Sequence, residues 1–123
     1  MKSLYKLLFL PLMLSFSFVS VEDIISAIKN GDATEVSKYF DNTVEISLPN
    51  KSNSYSKSQA ELVLRDFFVN NVVKDFEVIH KGDNAGSQFC IGTLQTKNGI
   101  FRTTIFLKQK GEKQVLQELR FEK

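Results

Sequence analysis

The stretch SYSKSQAELVLRDFF, residues 54–68, carries the most regular pattern in the chain and decides which fold the rest can form. Its apolar residues recur at i, i+3, i+4, i+7 and i+8, the spacing of one face of an α-helix. They are Ala60, Val63, Leu64, Phe67 and Phe68. Ser56 precedes Gln59 by three residues, which is the spacing of a capping box, and Ser58 with Glu61 offers a second start. The stretch therefore predicts a capped helix whose apolar face packs on a sheet.

Four segments with period-two alternation follow this helix, and such alternation is typical of strands with one buried face. They span residues 72–82, 86–99, 99–111 and 113–123. Asn98-Gly99 is the strongest hairpin signal in the chain, because both residues tolerate positive φ. Gly92 lies within a segment and indicates a bulge or bend. We expect the last three strands to form an antiparallel meander.

Two short helices and one strand are predicted ahead of the central helix. Apolar residues at helical spacing begin at residue 21, and Asn30-Gly31-Asp32 ends that helix and opens a second one over residues 33–40. Residues 43–49 alternate as a short strand, and residues 50–56 read as a polar loop or ragged edge. The order α-α-β-α-β-β-β-β predicts an α+β domain with helices on one face of a curved antiparallel sheet.

Residues 1–20 have the features of a secretory signal peptide. A lysine-bearing start precedes an apolar run over residues 7–14, and small residues follow the run. The run is too short to span a bilayer, which takes roughly 20 apolar residues. We therefore predict a signal peptide over residues 1–20 and a single domain over residues 21–123, exported to the periplasm or medium of a bacterium and without membrane association after cleavage. An uncleaved N-terminal anchor is the alternative.

Charge and ligand-forming residues exclude several functions. The chain has 16 Lys and Arg against 14 Asp and Glu, and two of those lysines precede residue 21, so the predicted domain is neutral. A nucleic-acid-binding domain has a basic surplus, so we expect no nucleic-acid partner. Cys90 is the single cysteine, which predicts a buried thiol or an intermolecular bond. His80 is the single histidine, and with so few ligands we expect no metal and no cofactor.

These features together resemble the nuclear-transport-factor-two-like, or cystatin-like, superfamily over roughly residues 21–123. The similarity is carried by the element order, by the KNGD break at residues 29–32, and by SYSKSQAELVLRDFF ahead of a four-strand meander. Within the superfamily the chain is most similar to small exported bacterial proteins of unknown function. The resemblance implies a cone-shaped fold with a cavity between the helices and the concave sheet face. It also implies dimerisation through the outer sheet face.

Candidate ligand-binding residues come from the helices and from the first strand of the meander. They are Tyr39, Phe40, Val63, Phe67, Phe68 and His80. His80 follows Phe76 and Val78 at period two and is expected on their face, either as an acid/base group at the cavity rim or as a half-exposed strand end. Enzymes of the superfamily use an acid or a histidine with tyrosine hydroxyls, which implies Asp66, Asp41, Tyr39, Tyr55 and His80. No catalytic motif is matched, so no catalytic residue is assigned.

Three functions fit the sequence. The leading hypothesis is a non-catalytic exported domain that binds a small apolar or amphipathic ligand or acts as an interaction module; an isomerase or dehydratase and a purely structural dimeric module are the alternatives. Ile100 and Phe106 share the face of Arg102, so that strand is apolar on both sides and predicts a homodimer through the sheet face. An apolar cavity with a polar ring favours binding, converging catalytic groups favour an enzyme, and a filled core favours the structural module.

Overall fold

In the computed structural model, which describes residues 21–123, three helices pack on one face of a curved six-stranded sheet. The helices are α1 (Val21–Lys29), α2 (Ala33–Ser37) and α3 (Lys57–Asn70). The strands are β1 (Phe40–Leu48), β2 (Lys51–Ser56), β3 (Val73–Asn84), β4 (Ser87–Thr96), β5 (Gly99–Lys110) and β6 (Lys113–Glu122). The predicted α+β class is confirmed. The predicted signal peptide at residues 1–20 lies outside the described residues, and within residues 21–123 no helix is long and apolar enough to span a membrane.

The strands follow the order β2-β1-β6-β5-β4-β3. β1 runs parallel to β6, and the other neighbours are antiparallel. The predicted meander over β4, β5 and β6 is confirmed, with a tight turn at Lys97 and Asn98 and with Gly99 paired to Thr96 at a φ of 124°. β2 and β3 are the two edges of the sheet.

Of the two alternatives predicted for residues 50–56, the loop is wrong and the edge is correct, because residues 51–56 form β2 at the edge of the sheet. This strand pairs with β1 without interruption, from Thr43 opposite Ser56 to Leu48 opposite Lys51. All but one of its residues are exposed, so it has no apolar alternation that the sequence could display. β1 also begins earlier than predicted, at Phe40, because α2 ends at Ser37.

A bulge in β3 bends the sheet and changes which way His80 points. Val78 pairs with Gly92 and His80 with the next residue, Ile91, so Ile79 is the extra residue between them. The period-two expectation that His80 shares a face with Phe76 and Val78 is therefore wrong: His80 faces the outer side of the sheet. The bend predicted at Gly92 does occur, and the Phe76 ring covers this glycine on the inner side.

The interior between α3 and the sheet is filled by phenylalanine rings. The Phe67 ring stacks on Phe121 at 4.3 Å between centroids and meets Phe101 edge-on at 5.1 Å. Phe68 meets Phe121 at 6.4 Å. Aromatic side chains bury the largest apolar areas, so this cluster is the main hydrophobic contact that holds the helix on the sheet. The predicted cap is also confirmed, since the Gln59 backbone N–H donates to Ser56 Oγ at 3.3 Å.

Candidate functional site

The largest of the described cavities, about 620 Å³, is an open groove beside the β1–β2 turn. We call it the hairpin groove. It lies where α3 ends, β1 turns into β2 and β5 begins. Its lining residues are Leu48, Pro49, Asn50, Lys51, Asp66, Phe67, Asn70, Asn71, Phe101 and Lys123. A concave, apolar surface with a few polar groups is the general form of a small-molecule site.

The floor of the hairpin groove is apolar and rigid. Phe67 and Phe101 are 6% and 3% exposed, and their edge-on contact fixes both rings. Leu48 at the end of β1 is half-buried and packs against the same core. The floor is thus the outer margin of the ring cluster rather than a chamber within it. A ligand here covers the cluster without displacing any core side chain.

The rim of the hairpin groove carries two ammonium groups and one carboxylate. Lys123 Nζ lies 5.0 Å from the centroid of the Phe101 ring and donates to the Asn98 carbonyl at 3.2 Å. Within residues 21–123, neither Lys123 nor Lys51 forms an ion pair. Asp66 accepts a hydrogen bond of 3.4 Å from Asn70 Nδ2 and likewise has no cationic partner in this part of the chain. Among the side chains of the rim, two positive charges therefore stand against one negative charge.

Asparagine side chains complete the rim at the C-terminal end of α3. Asn71 closes the helix by donating to the Phe67 carbonyl, from its backbone N–H at 2.8 Å and from Nδ2 at 3.0 Å. The side chain of Asn98, from the β4–β5 turn, donates to the Asn70 carbonyl. These bonds satisfy carbonyls that a helix end otherwise leaves open. They also hold α3 and the β4–β5 turn in fixed positions on either side of the groove.

The predicted ligand-binding residues do not lie together. Phe67 lines the hairpin groove, whereas Phe68 borders a smaller cavity of about 330 Å³ between α2 and α3. Phe40 is buried in the core, and Val63 is half-buried and packs against that core. His80 lies outside on the sheet, with its ring 5.4 Å from that of Phe89.

Tyr39 lies near the acidic residues of the first two helices rather than in the groove. Burial, followed by the negative charges of Asp23 and Glu35, raises the pKa of the Tyr39 hydroxyl. The hydroxyl therefore stays protonated at neutral pH and is not activated as a base. The sequence identified Tyr39 as a candidate, but it did not show that Asp23 of α1 and Glu35 of α2 lie near its hydroxyl.

The acids and tyrosines named for an enzyme do not converge either. Asp66 lines the hairpin groove without Tyr39, Tyr55, Asp41 or His80. The Asp41 carboxylate instead accepts hydrogen bonds from Gln117 at 2.9 Å and from Lys110 at 3.1 Å. Mainly because of the Gln117 bond, the pKa of Asp41 is lowered. Asp41 thus joins β1 to β5 and β6.

The remaining chemical groups are also accounted for by the fold. Cys90 is fully buried, which confirms the prediction of a buried thiol. Burial raises the pKa of this thiol to about 11. Among residues 21–123, no group of three or more His, Cys, Asp or Glu side chains is arranged to hold a metal ion.

Sequence reasoning missed most of the groove-lining residues, including Lys51, Asn70, Asn71, Phe101 and Lys123. They lie up to 72 positions apart in the chain and come from α3, the β1–β2 hairpin, β5 and the end of β6. Phe67, Phe101 and Leu48 carried a signal, since their periodicity marked them as core residues, and Asp66 was named through the resemblance alone. Nothing local to the sequence distinguishes Lys51 or Lys123 from a solvated lysine.

Comparisons with known proteins agree with this architecture. A family model described as a domain of unknown function (DUF4783) matches residues 21–122. The crystal structure of a DUF4783 family protein from Bacteroides ovatus is 36% identical, with a TM-score of 0.80 over 82% of this chain and 92% of that one. A second, from Bacteroides uniformis, is 37% identical, with a TM-score of 0.80 over 83% and 94%.

A more distant structure shows the fold alone. An NTF2-like protein of unknown function from Cytophaga hutchinsonii is 8% identical, with a TM-score of 0.63 over 88% of this chain and 92% of that one. The predicted nuclear-transport-factor-two-like architecture is thereby confirmed. Among curated proteins, none matches the chain.

Proposed function

The chain belongs to the DUF4783 family, and we propose that it is an exported, non-catalytic binding domain whose ligand is a small amphipathic molecule with an anionic group. The observation that carries the proposal is the hairpin groove, in which an apolar floor is bordered by the two ammonium groups of Lys51 and Lys123. An apolar ligand body covers Phe67 and Phe101, and its anionic group lies at the lysines. The groups named for an enzyme lie apart, which favours binding over catalysis.

The charge on the ligand follows from the charges of the rim. Two lysines face one aspartate, and none of the three forms an ion pair within residues 21–123. Exposed charges at this spacing contribute little each, about 0.2 to 1 kcal/mol, so affinity comes mainly from the apolar floor. The lysines therefore contribute little to the affinity, and their main effect is to favour anionic ligands over uncharged ligands of similar shape.

A pair of fluorescent probes separates the two contributions. 1-Anilinonaphthalene-8-sulfonate carries an anionic group, and N-phenyl-1-naphthylamine has the same aromatic body without it. We expect both to bind, and we expect Lys51→Glu or Lys123→Glu to weaken only the sulfonate, by about two- to fivefold. Leu48→Gln in the floor should weaken both. Lys74→Glu, on the opposite edge of the sheet, is the matched control and should change neither.

Specific outcomes would reject the groove as the site. Each affinity is measured at several salt concentrations. If the uncharged probe and the sulfonate have the same affinity for every variant at every salt concentration, the rim does not select an anion. If Leu48→Gln leaves both affinities unchanged while the protein remains folded, the probes bind elsewhere. Urea unfolding of each variant verifies that the changes in fluorescence do not come from loss of structure.

We further propose a homodimer through the outer sheet face. Phe89, Ile91 and Phe106 lie half-buried on that face, with Phe89 directly opposite Phe106. On this face Glu118 and Glu122 are both paired with Arg120, whereas Lys108 and Lys113 form no ion pair within residues 21–123. A two-fold arrangement that packs these apolar residues of one copy against those of a second copy removes them from water.

One measurement addresses export, ligand and dimer together. The full chain, residues 1–123, is produced in a Gram-negative host and recovered from the periplasmic fraction for native mass spectrometry. We expect a subunit mass that lacks the first 17 or 20 residues, a dimer, and a bound small molecule. A subunit of full-length mass that stays in the membrane contradicts export, and a bare monomer contradicts both the dimer and the ligand. Phe106→Glu should convert the dimer to a monomer.

A further inference from the structure

Within residues 21–123, the β2 strand presents an edge of backbone hydrogen-bonding groups that no other strand pairs with. β2 pairs with β1 on one side and forms the end of the sheet on the other. In an antiparallel pair, alternate residues direct their N–H and C=O groups toward the neighbour, and the others direct them outward. The register from Lys51 to Ser56 is uninterrupted, and all its residues but Tyr55 are exposed. β2 therefore offers a straight, accessible row of donors and acceptors.

The opposite edge of the sheet is protected. β3 contains two register shifts, after Val73 and after Val78, which break the regular spacing of its outward groups. Helix α1 also reaches β3 through two ion pairs, Lys29 with Asp75 at 3.5 Å and Lys81 with Glu22. Bulges and charged residues are the usual means of preventing strand addition at an edge. β2 has no bulge and only one charged residue, so β2 can accept an additional strand, whereas the β3 edge resists one.

The charge along β2 indicates which kind of strand it accepts. Residues 50–58, NKSNSYSKS, contain Lys51 and Lys57 and no acidic residue. Neither lysine forms an ion pair within residues 21–123. The acidic side chain nearest along β1 is Glu45, which accepts a hydrogen bond from Ser52 and adds to the negative charge around Arg120. The two ends of β2 therefore keep an uncompensated positive charge.

A second copy of this chain is the less suitable occupant. In a centred antiparallel pairing of β2 with itself, Lys51 lies opposite Ser56 of the second copy and beside its Lys57. Each end of the pair then holds two lysines with no acidic residue between them. Like charges opposite each other destabilise a pair of strands. An acidic strand from another protein removes this repulsion at both ends.

We infer that the β2 edge binds an extended, acidic peptide segment of another protein, which joins the sheet as an additional strand. Backbone hydrogen bonds to β2 give the affinity, as in other cases of strand addition. Lys51 is the first residue of β2, and Lys57, the first residue of α3, directly follows its last residue, so the two lysines flank a strand of about 20 Å at 3.3 Å per residue. The segment that fits best therefore carries two acidic residues at that separation.

The experiment uses the folded protein and three synthetic peptides. ETVTVTE has two glutamates at the required spacing, KTVTVTK reverses the charge, and a third peptide is ETVTVTE with alternate backbone amides N-methylated along one edge. Binding is followed by two-dimensional ¹⁵N NMR and by amide hydrogen exchange. We expect ETVTVTE to shift the β2 resonances, to slow exchange of the outward β2 amides, and to bind at least fivefold more tightly than KTVTVTK.

Variants test the charge complementarity and separate this surface from the hairpin groove. In Lys51→Glu/Lys57→Glu the preference should reverse, so that KTVTVTK binds more tightly than ETVTVTE. Lys74→Glu on β3 is the matched control and should leave the preference unchanged. Lys123→Glu weakens the anionic probe in the groove and should leave the peptide affinity unchanged.

Three results would overturn the inference. The first is equal binding of ETVTVTE and its N-methylated form, since backbone pairing then plays no part. The second is perturbation of β3 amides to the same extent as β2 amides. The third is protection of the outward β2 amides in the absence of peptide as protein concentration rises, with loss of that protection in a Ser54→Lys variant, because a second copy would then be the occupant.

Discussion

Replacing Gly92 with alanine tests whether the bend of the sheet depends on this glycine. Gly92 lies in β4 opposite Val78, at the bulge of β3. A Cβ atom there would lie 2.5 Å from Phe76 Cζ, 2.8 Å from Phe76 Cε1 and 2.7 Å from the Glu77 backbone oxygen. All three distances are shorter than real Cβ contacts. The backbone oxygen belongs to the paired strand, so it cannot move without disturbing the bulge.

The expected cost combines two opposing effects. Overpacking a buried site typically destabilises a protein by about 1 to 3 kcal/mol. Gly92 is not among the glycines with positive φ, so alanine adopts this backbone conformation and lowers the entropy of the unfolded chain, a gain of about 0.4 to 1 kcal/mol. The net expectation is a loss of about 1 to 2 kcal/mol in the free energy of unfolding. For a domain of about 100 residues, each kcal/mol lowers Tm by about 4 to 8 °C.

Gly82→Ala is the matched control for this prediction. The three atoms nearest to its Cβ would all belong to the Phe89 ring, the first at 2.5 Å, and this half-buried side chain can shift more easily than the backbone oxygen at Gly92. We expect Gly82→Ala to change stability by less than about 0.5 kcal/mol. Urea unfolding of both variants and the parent gives the two differences. Gly92→Ala as stable as the parent, or Gly82→Ala as costly as Gly92→Ala, would refute the argument that the crowded bulge requires glycine.

Two further predictions concern titrating groups. Asp41→Asn should lower stability at pH 7 by about 1 to 2 kcal/mol, because it weakens charge-assisted bonds from Gln117 and Lys110. Since the pKa of folded Asp41 is lowered, its contribution is complete above the ordinary value of about 4 and disappears as pH falls through the lowered pKa, so urea unfolding curves of parent and variant should converge in acid. Burial raises the pKa of Cys90 to about 11, so its thiol should react with a thiol reagent at pH 8 only after unfolding, and rapid labelling of the folded protein would contradict this. For the same reason, stability linked to Cys90 should be complete below about pH 8.5 and be lost as pH rises toward 11.

Period and capping signals were sufficient to predict most of the fold. α3 buries Ala60, Leu64, Phe67 and Phe68, four of the five residues on its predicted face, because a helix packed on a sheet must keep its apolar residues at helical spacing. The strands of the meander alternate for the analogous reason. β2 could not be told from a polar loop, because a strand exposed on both faces is held by backbone hydrogen bonds, and these leave no pattern in the side chains.

The face assigned to His80 shows a second limit of periodic reasoning. One additional residue in β3, Ile79, reverses every side chain that follows it. Gly92, which pairs with Val78, did indicate a bend, but a glycine does not reveal in which of two strands the additional residue lies. The assignment of His80 to the cavity therefore depended on a register that only the paired strand determines.

The candidate sites lie where the chain is least constrained by its core, and this explains why they were hard to foresee. Core positions must satisfy packing, and packing produces periodic patterns. Lys51 has no ion pair within residues 21–123 and lies on a strand without an apolar face, so stability does not account for its identity. Lys123 contacts the Asn98 carbonyl and the Phe101 ring, but it likewise has no ion pair in this part of the chain. A neutral domain that leaves positive charge uncompensated along one edge and around one groove concentrates its attraction for anions there. If these surfaces had no binding role, Lys123→Glu would leave the affinity for the anionic probe unchanged, Lys51→Glu would alter neither probe nor peptide affinity, and the charge pattern would be incidental.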